Sequence, residues 1–167
     1  MSKTQDNLAE AFAGESQANR RYLFFAEKAE KEGYKKTARL FRAAAAAETV
    51  HARNHSRAIG EIKTTKENLQ ASVSGENYEF SVMYPSFITE AQTEGNKVAE
   101  NSFDLANQVE KIHHGLFQAS LDSLEESGKE EGKPYSVCQV CGNTIEGEAP
   151  ERCPICGAPK NQFKQVE

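Results

Sequence analysis

The stretch TQDNLAEAFAGE, residues 4–15, returns as TKENLQASVSGE, residues 65–76, with Thr, Asn, Leu, Gly and Glu matching in order. Self-similarity at a fixed spacing marks an internal duplication, and it has to be read before single elements are assigned. Beyond this stretch the match continues with the offset lengthened by one residue. Tyr22 pairs with Tyr84, Phe25 with Phe87, Ala29 with Ala91, Glu32-Gly33 with Glu94-Gly95, Phe41 with Phe103, Glu48 with Glu110 and His51 with His113.

Each copy reads as two long helices joined at a glycine. Apolar residues recur at three and four spacing (Phe12, Leu23, Phe25, Ala29; then Leu40, Phe41, Ala44, Ala47). Gly33 and Gly95 suit left-handed helix ends, and Thr64 with Glu67 has capping-box spacing. The expected helices span 5–32, 34–60, 65–94 and 96–127. The fold class is therefore an all-α four-helix bundle with a long crossover between its halves, followed by a small C-terminal metal-knuckle domain. The expected boundaries are a bundle over 1–128, a linker over 129–134 within the charged SGKEEGKP stretch, and the cysteine domain over 135–167.

A chain of 167 residues with a net charge of −5 and no clustered basic face is not built to bind nucleic acid. The N-terminus lacks the basic start and apolar core of a secretory signal, and no apolar run approaches membrane-spanning length, so a cytoplasmic protein with no membrane partner is expected. In that compartment, four cysteines in the last 30 residues read as reduced thiolates around a metal rather than as disulfides.

Counting along the helices at about 1.5 Å per residue puts Glu15 about 27 Å before the turn at Gly33 and Glu48 about 22 Å after it. Glu76 and Glu110 stand about 28 Å and 22 Å from Gly95. Four carboxylates, one per helix, thus share one layer of the bundle, with His51 and His113 one turn beyond Glu48 and Glu110. Buried together, such carboxylates repel one another and lose their hydration, so the arrangement makes sense only around cations. One Glu from each of two helices and Glu-x-x-His from each of the other two is the donor pattern of di-iron and di-manganese carboxylate bundles. Glu79, one turn after Glu76 and without a counterpart in the first copy, offers a further carboxylate. Tyr22 and Tyr84 stand two turns past Glu15 and Glu76, within reach of ligating carboxylates or of the core.

Cys138-x-x-Cys141-Gly and Cys153-Pro-x-Cys156-Gly, with 11 residues between the pairs, form two knuckles that close a site of four thiolates. Zinc would staple the segment, whereas iron would add a one-electron couple. The neighbouring di-metal site, suited to redox work, needs a source of electrons and favours iron.

Together, GESQANRRY, AETVH, GENYEFSVMYPSF, VEKIH and the closing CxxCG and CPxCG resemble the rubrerythrin family over nearly the whole chain. The resemblance implies a ferritin-like di-iron bundle fused to a rubredoxin-like domain, acting as a peroxide reductase. It makes Glu15, Glu48, His51, Glu76, Glu79, Glu110 and His113 ligands of two irons, with Glu48 and Glu110 bridging. Cys138, Cys141, Cys153 and Cys156 hold a third iron, and zinc is a substitute in either site. In the family one iron exchanges a His for a Glu as its oxidation state changes, which assigns the exchange here to His51 and Glu79. Those two residues, with Tyr22 and Tyr84, are the expected catalytic groups. The expected partners are hydrogen peroxide and a redox partner such as rubredoxin or an NAD(P)H-dependent reductase. About 25 Å of helix separates Glu110 from the linker. Unless the chain folds back, its thiolate iron is too far to serve its own di-iron site, so a homo-oligomer, at least a head-to-tail dimer, is expected. The rival is a ferroxidase that stores iron, with a zinc-stapled docking module; a pure electron carrier would leave the carboxylate layer unexplained.

Overall fold

In the computed structural model, which describes residues 2–126 and 132–167, the first helix starts where Ser2 accepts the Gln5 amide and Gln5 reaches back to the Ser2 amide. Such a reciprocal cap satisfies two donors that the first turn leaves orphaned. The helix, α1, spans Lys3–Lys31, and α2 spans Lys35–Ile59. Between them Gly33 sits at φ 86°, its amide on the Glu30 carbonyl, while the Tyr34 amide reaches the Ala29 carbonyl at 2.8 Å. This paired closure needs a left-handed residue, and glycine supplies it without a Cβ clash. The second copy repeats it at Gly95, φ 69°, with Asn96 bonded to Ala91.

The capping box expected at Thr64 and Glu67 is present and opens α3, Thr65–Tyr78. The continuous rod expected over 65–94 is instead three pieces: α3, a π-helical turn at Glu79–Met83, and α4, Tyr84–Thr93. The Tyr84 amide reaches back to the Glu79 carbonyl, one residue further than an α-helical bond. Two features of the sequence account for it. The lengthened repeat offset inserts one residue between Glu76 and Tyr84, and Pro85 has no amide to continue the α ladder. The last helix, α5, spans Lys97–Glu126. The helix end expected at 127 and the linker residues 129–131 lie outside the described residues.

The chain divides into two compact units, Met1–Lys63 and Thr64–Glu167. In the first, α1 and α2 close on each other through small residues, with Ala26, Ala29, Ala38 and Ala45 buried at the seam. Asn19 fixes their register by donating to the Ala45 carbonyl at 2.7 Å and to the Thr49 hydroxyl at 2.9 Å. Larger apolar side chains of the hairpin, among them Phe24, Phe25 and Leu40, remain exposed on the chain. Tyr22, Phe25 and Phe41 form one ring cluster, and in the second unit their counterparts Tyr84, Phe87 and Phe103 form its repeat.

The second unit also contains a three-stranded antiparallel sheet in the order β2-β1-β3, made of β1 (Tyr135–Cys138), β2 (Thr144–Glu146) and β3 (Phe163–Val166). Its core is little more than Cys138, Cys153 and Ala158, packed with Ile155 and Phe163. So small a core needs a staple. No helix among the described residues is long and apolar enough to cross a membrane.

Candidate metal centres

Glu48 and His51 lie three positions apart on α2 and therefore on one face, where the His51 Nδ1 stands 2.8 Å from a Glu48 oxygen and 3.8 Å from Glu15 on α1. In the second unit Glu110 and His113 on α5 repeat the pair at 2.7 Å, with Glu76 contributed by α3. Within each triad the donor atoms all lie within 4.8 Å of one another. The structure thus brings together Glu15, Glu48 and His51, and separately Glu76, Glu110 and His113.

Charge marks the second triad as a cation site. Burial, then the Glu110 charge, raise the Glu76 carboxyl to about 7, and one Glu76 oxygen is buried without a hydrogen-bond partner among the described residues. A buried oxygen with no donor carries a desolvation cost that a bound cation removes. Glu79 stands outside the triad, on the π turn, yet burial and the Glu110 charge raise its carboxyl too. Tyr84 is raised by burial and then by Glu110, Glu79 and Glu76. Neither the Tyr22 nor the Tyr84 hydroxyl is hydrogen-bonded to a carboxylate among the described residues; both rings pack in their aromatic clusters. His55 is half-buried, and His114 packs edge-on against Phe80.

The four cysteines are free thiols, and their Sγ atoms pair at 3.7 Å (Cys138 and Cys156) and 3.6 Å (Cys141 and Cys153). A tetrahedron with metal–sulfur bonds of about 2.3 Å has edges of about 3.8 Å, so the thiols already stand at ligand spacing. Both knuckles turn alike, Gly142 N–H on the Cys138 carbonyl and Gly157 N–H on the Cys153 carbonyl, each at 2.9 Å. Burial pushes Cys141 well up. At Cys153 burial is outweighed by the amides of Cys156 and Ile155, which bring it down to about 7. Amides aimed at sulfur favour thiolate, the form that binds metal.

Sequence reasoning missed where this cage sits. Thr144, just past the first knuckle, places its Oγ1 3.0 Å from the His113 Nε2, and a Cβ added at Gly142 would lie 3.8 Å from Val109, one turn before His113. The expectation that the cysteine segment lies too far from its own helices is therefore corrected: within the second unit the chain returns to α5. Helix length gave the distance to the end of α5 but held no information on the direction taken afterwards.

The donor sets match comparisons with known proteins. Residues 6–121 match the rubrerythrin family profile, and residues 137–164 match its rubredoxin-like domain. Rubrerythrin-2 of Clostridium acetobutylicum is 39% identical, covering 96% of this chain and 95% of its own length. Nigerythrin of Nitratidesulfovibrio vulgaris is 36% identical over 96% of this chain and 85% of its own. A solved structure described as the mixed-valence state of nigerythrin superposes with a TM-score of 0.58 at 34% identity, over 99% of this chain and 88% of that one. The glutamate and histidine triads are those of a di-iron carboxylate site, and the four cysteines those of a rubredoxin-like iron site. With its helical hairpins and small sheet carrying these two donor sets, the chain belongs to the rubrerythrin family, a family of di-iron oxidoreductases of the peroxidase type.

Proposed function

We propose that this chain reduces hydrogen peroxide to water at the di-iron carboxylate site, with electrons relayed through the four-thiolate iron. The carrying observation is the duplicated Glu and Glu-x-x-His triad, with the thiolate knuckle seated on the histidine of the second copy. Glu15, Glu48 and His51 would hold one ion and Glu76, Glu110 and His113 the other. Iron held by these residues would supply electrons one at a time, two in all for each peroxide.

The chain's own residues supply position and protons. Converting one peroxide to two waters consumes two electrons and two protons. Tyr84, whose hydroxyl is held protonated by burial and by three nearby glutamates, is a neutral donor toward a departing oxygen, and Tyr22 is its counterpart in the first copy. Glu79, beside Glu110 on the π turn, would offer a further anionic donor to a centre whose positive charge rises. A cleft of about 530 Å³, lined in part by Leu69, Leu116 and Phe117, reaches Glu76 and His113 and admits a molecule as small as peroxide.

The protein works in the cytoplasm as a homo-oligomer, re-reduced by a rubredoxin or an NAD(P)H-dependent reductase. Peroxide added to the fully reduced, iron-loaded chain should restore the red ferric–thiolate colour within one turnover, with two electrons consumed per peroxide. Growth of a mineral core under ferrous iron and dioxygen, with no response to peroxide, would instead establish the storage reading.

A further inference from the structure

The Thr144 hydroxyl stands between two partners, and its single proton decides their roles. Oγ1 lies 3.0 Å from the Gly142 carbonyl, which can only accept, so the hydroxyl proton is donated there. The contact with the His113 Nε2, also 3.0 Å, must then run the other way, with Nε2–H donating to Oγ1. A neutral imidazole carrying its proton on Nε2 leaves a lone pair on Nδ1, the nitrogen 2.7 Å from Glu110. A lone pair facing a carboxylate is favourable only with a cation between them.

The first triad has no such anchor. His51 presents Nδ1 to Glu48 in the same way, but its Nε2 has no partner among the described residues, and its side chain is 53% exposed against 27% for His113. Beneath Thr144, Gly142 faces Val109, which is buried within α5; a Cβ at position 142 would stand 3.8 Å from it. The two histidines therefore differ in what holds the nitrogen remote from the metal.

We propose that Thr144 is the positioning residue of the second triad, fixing His113 in the Nε2–H tautomer and tying its ring to the Gly142 carbonyl of the thiolate knuckle. The proposal rests on the di-iron reading above. Partners of this kind on a ligating histidine set its tautomer and raise its basicity, and their loss costs about 10–100-fold in metal affinity. His113 is thereby held on the side remote from the metal, where His51 has no partner among the described residues.

The test uses the full chain loaded with zinc(II), which is diamagnetic, and reads the His113 ring nitrogens by long-range proton–nitrogen NMR alongside competitive zinc titration. The wild-type chain should show metal on Nδ1 and a proton on Nε2. Thr144→Val should lose the slowly exchanging Nε2–H signal and weaken zinc at the second triad by about 10–100-fold, and Thr144→Ser should recover both. The cage, followed by its ferric–thiolate colour in iron-loaded samples, should be unchanged in both variants. Metal on Nε2 in the wild-type chain would overturn the proposal without any variant. So would a Thr144→Val chain with wild-type zinc affinity and an intact Nε2–H signal. A chain that passes these tests yet leaves peroxide untouched refutes the function proposed above and leaves the role of Thr144 standing.

Discussion

Glu76 ties the second triad to pH. In the unfolded chain its carboxyl gives up its proton near 4.5, whereas in the metal-free folded chain burial and Glu110 hold the proton to about 7. Between those values the folded state binds more protons, so this contribution to stability is complete below about 4.5 and is lost as pH rises through about 7. A bound cation reverses the preference by favouring the carboxylate. The metal-free chain should therefore melt at a lower temperature at about pH 7.5 than at about pH 5, and zinc uptake should release a proton at about pH 6 that it no longer releases at about pH 8. Thermal scans and calorimetry in buffers of different ionisation enthalpy check both, and Glu76→Gln should flatten them. Glu79 calls for a different experiment because it stands beside the triad rather than in it. Glu79→Ala should slow peroxide turnover by about 10–100-fold while metal content stays near that of the parent, read by stopped-flow and metal analysis. Unchanged peroxide kinetics would remove Glu79 from the mechanism. The triad residues were legible at this scale because Glu-x-x-His falls on one helix face wherever the helix goes. Thr144 was not, since its contact joins residues 31 apart in sequence, on two different elements.

The π turn at Glu79–Met83 performs two tasks on one rod. Upstream of it Glu76 must meet Glu110 and His113, and downstream Tyr84 must meet Phe103, all three partners being on α5. One added residue rotates the two stretches by about 100° relative to a plain α-helix, and the wide turn absorbs it. Deleting Val82 should restore the α ladder and the repeat offset of the first stretch, and so force a choice between carboxylate and ring cluster. We expect a loss of about 2–3 kcal/mol by denaturant melts, together with weakened zinc binding at the second triad only. A variant as stable as its parent, with full zinc affinity, would show that the turn has no such task. The turn was legible in outline, since the offset lengthens between Glu76 and Tyr84 and Pro85 follows at once, but the expected continuous rod ignored both signs. The helix ends at Gly33, Thr64 and Gly95 were read correctly because their caps are local: each depends on one residue's backbone preference or on one reciprocal side-chain bond.

At the scale of the whole molecule the question is which chain's thiolate iron serves which triad. Helix lengths, legible in sequence, placed the cysteines beyond the far end of α5 and argued for delivery from a second chain. The Thr144–His113 contact puts the cage and the second triad on one unit of one chain instead. The two routes separate in a mixed oligomer. One chain carries Cys141→Ser and Cys156→Ser and lacks the cage, while the other carries Glu110→Ala and His113→Ala and lacks the second triad. Delivery between chains lets an intact cage on one serve an intact triad on the other, so co-refolding the two at equal amounts would recover a substantial share of turnover. Delivery within the unit leaves every intact triad beside a broken cage, whichever chain supplies the α1–α2 hairpin. We therefore expect no recovery above the two parents measured alone, with the donor-driven peroxide rate as readout. Single-turnover oxidation of the cage-less chain by peroxide should persist, because that step needs only the iron already reduced at the triads.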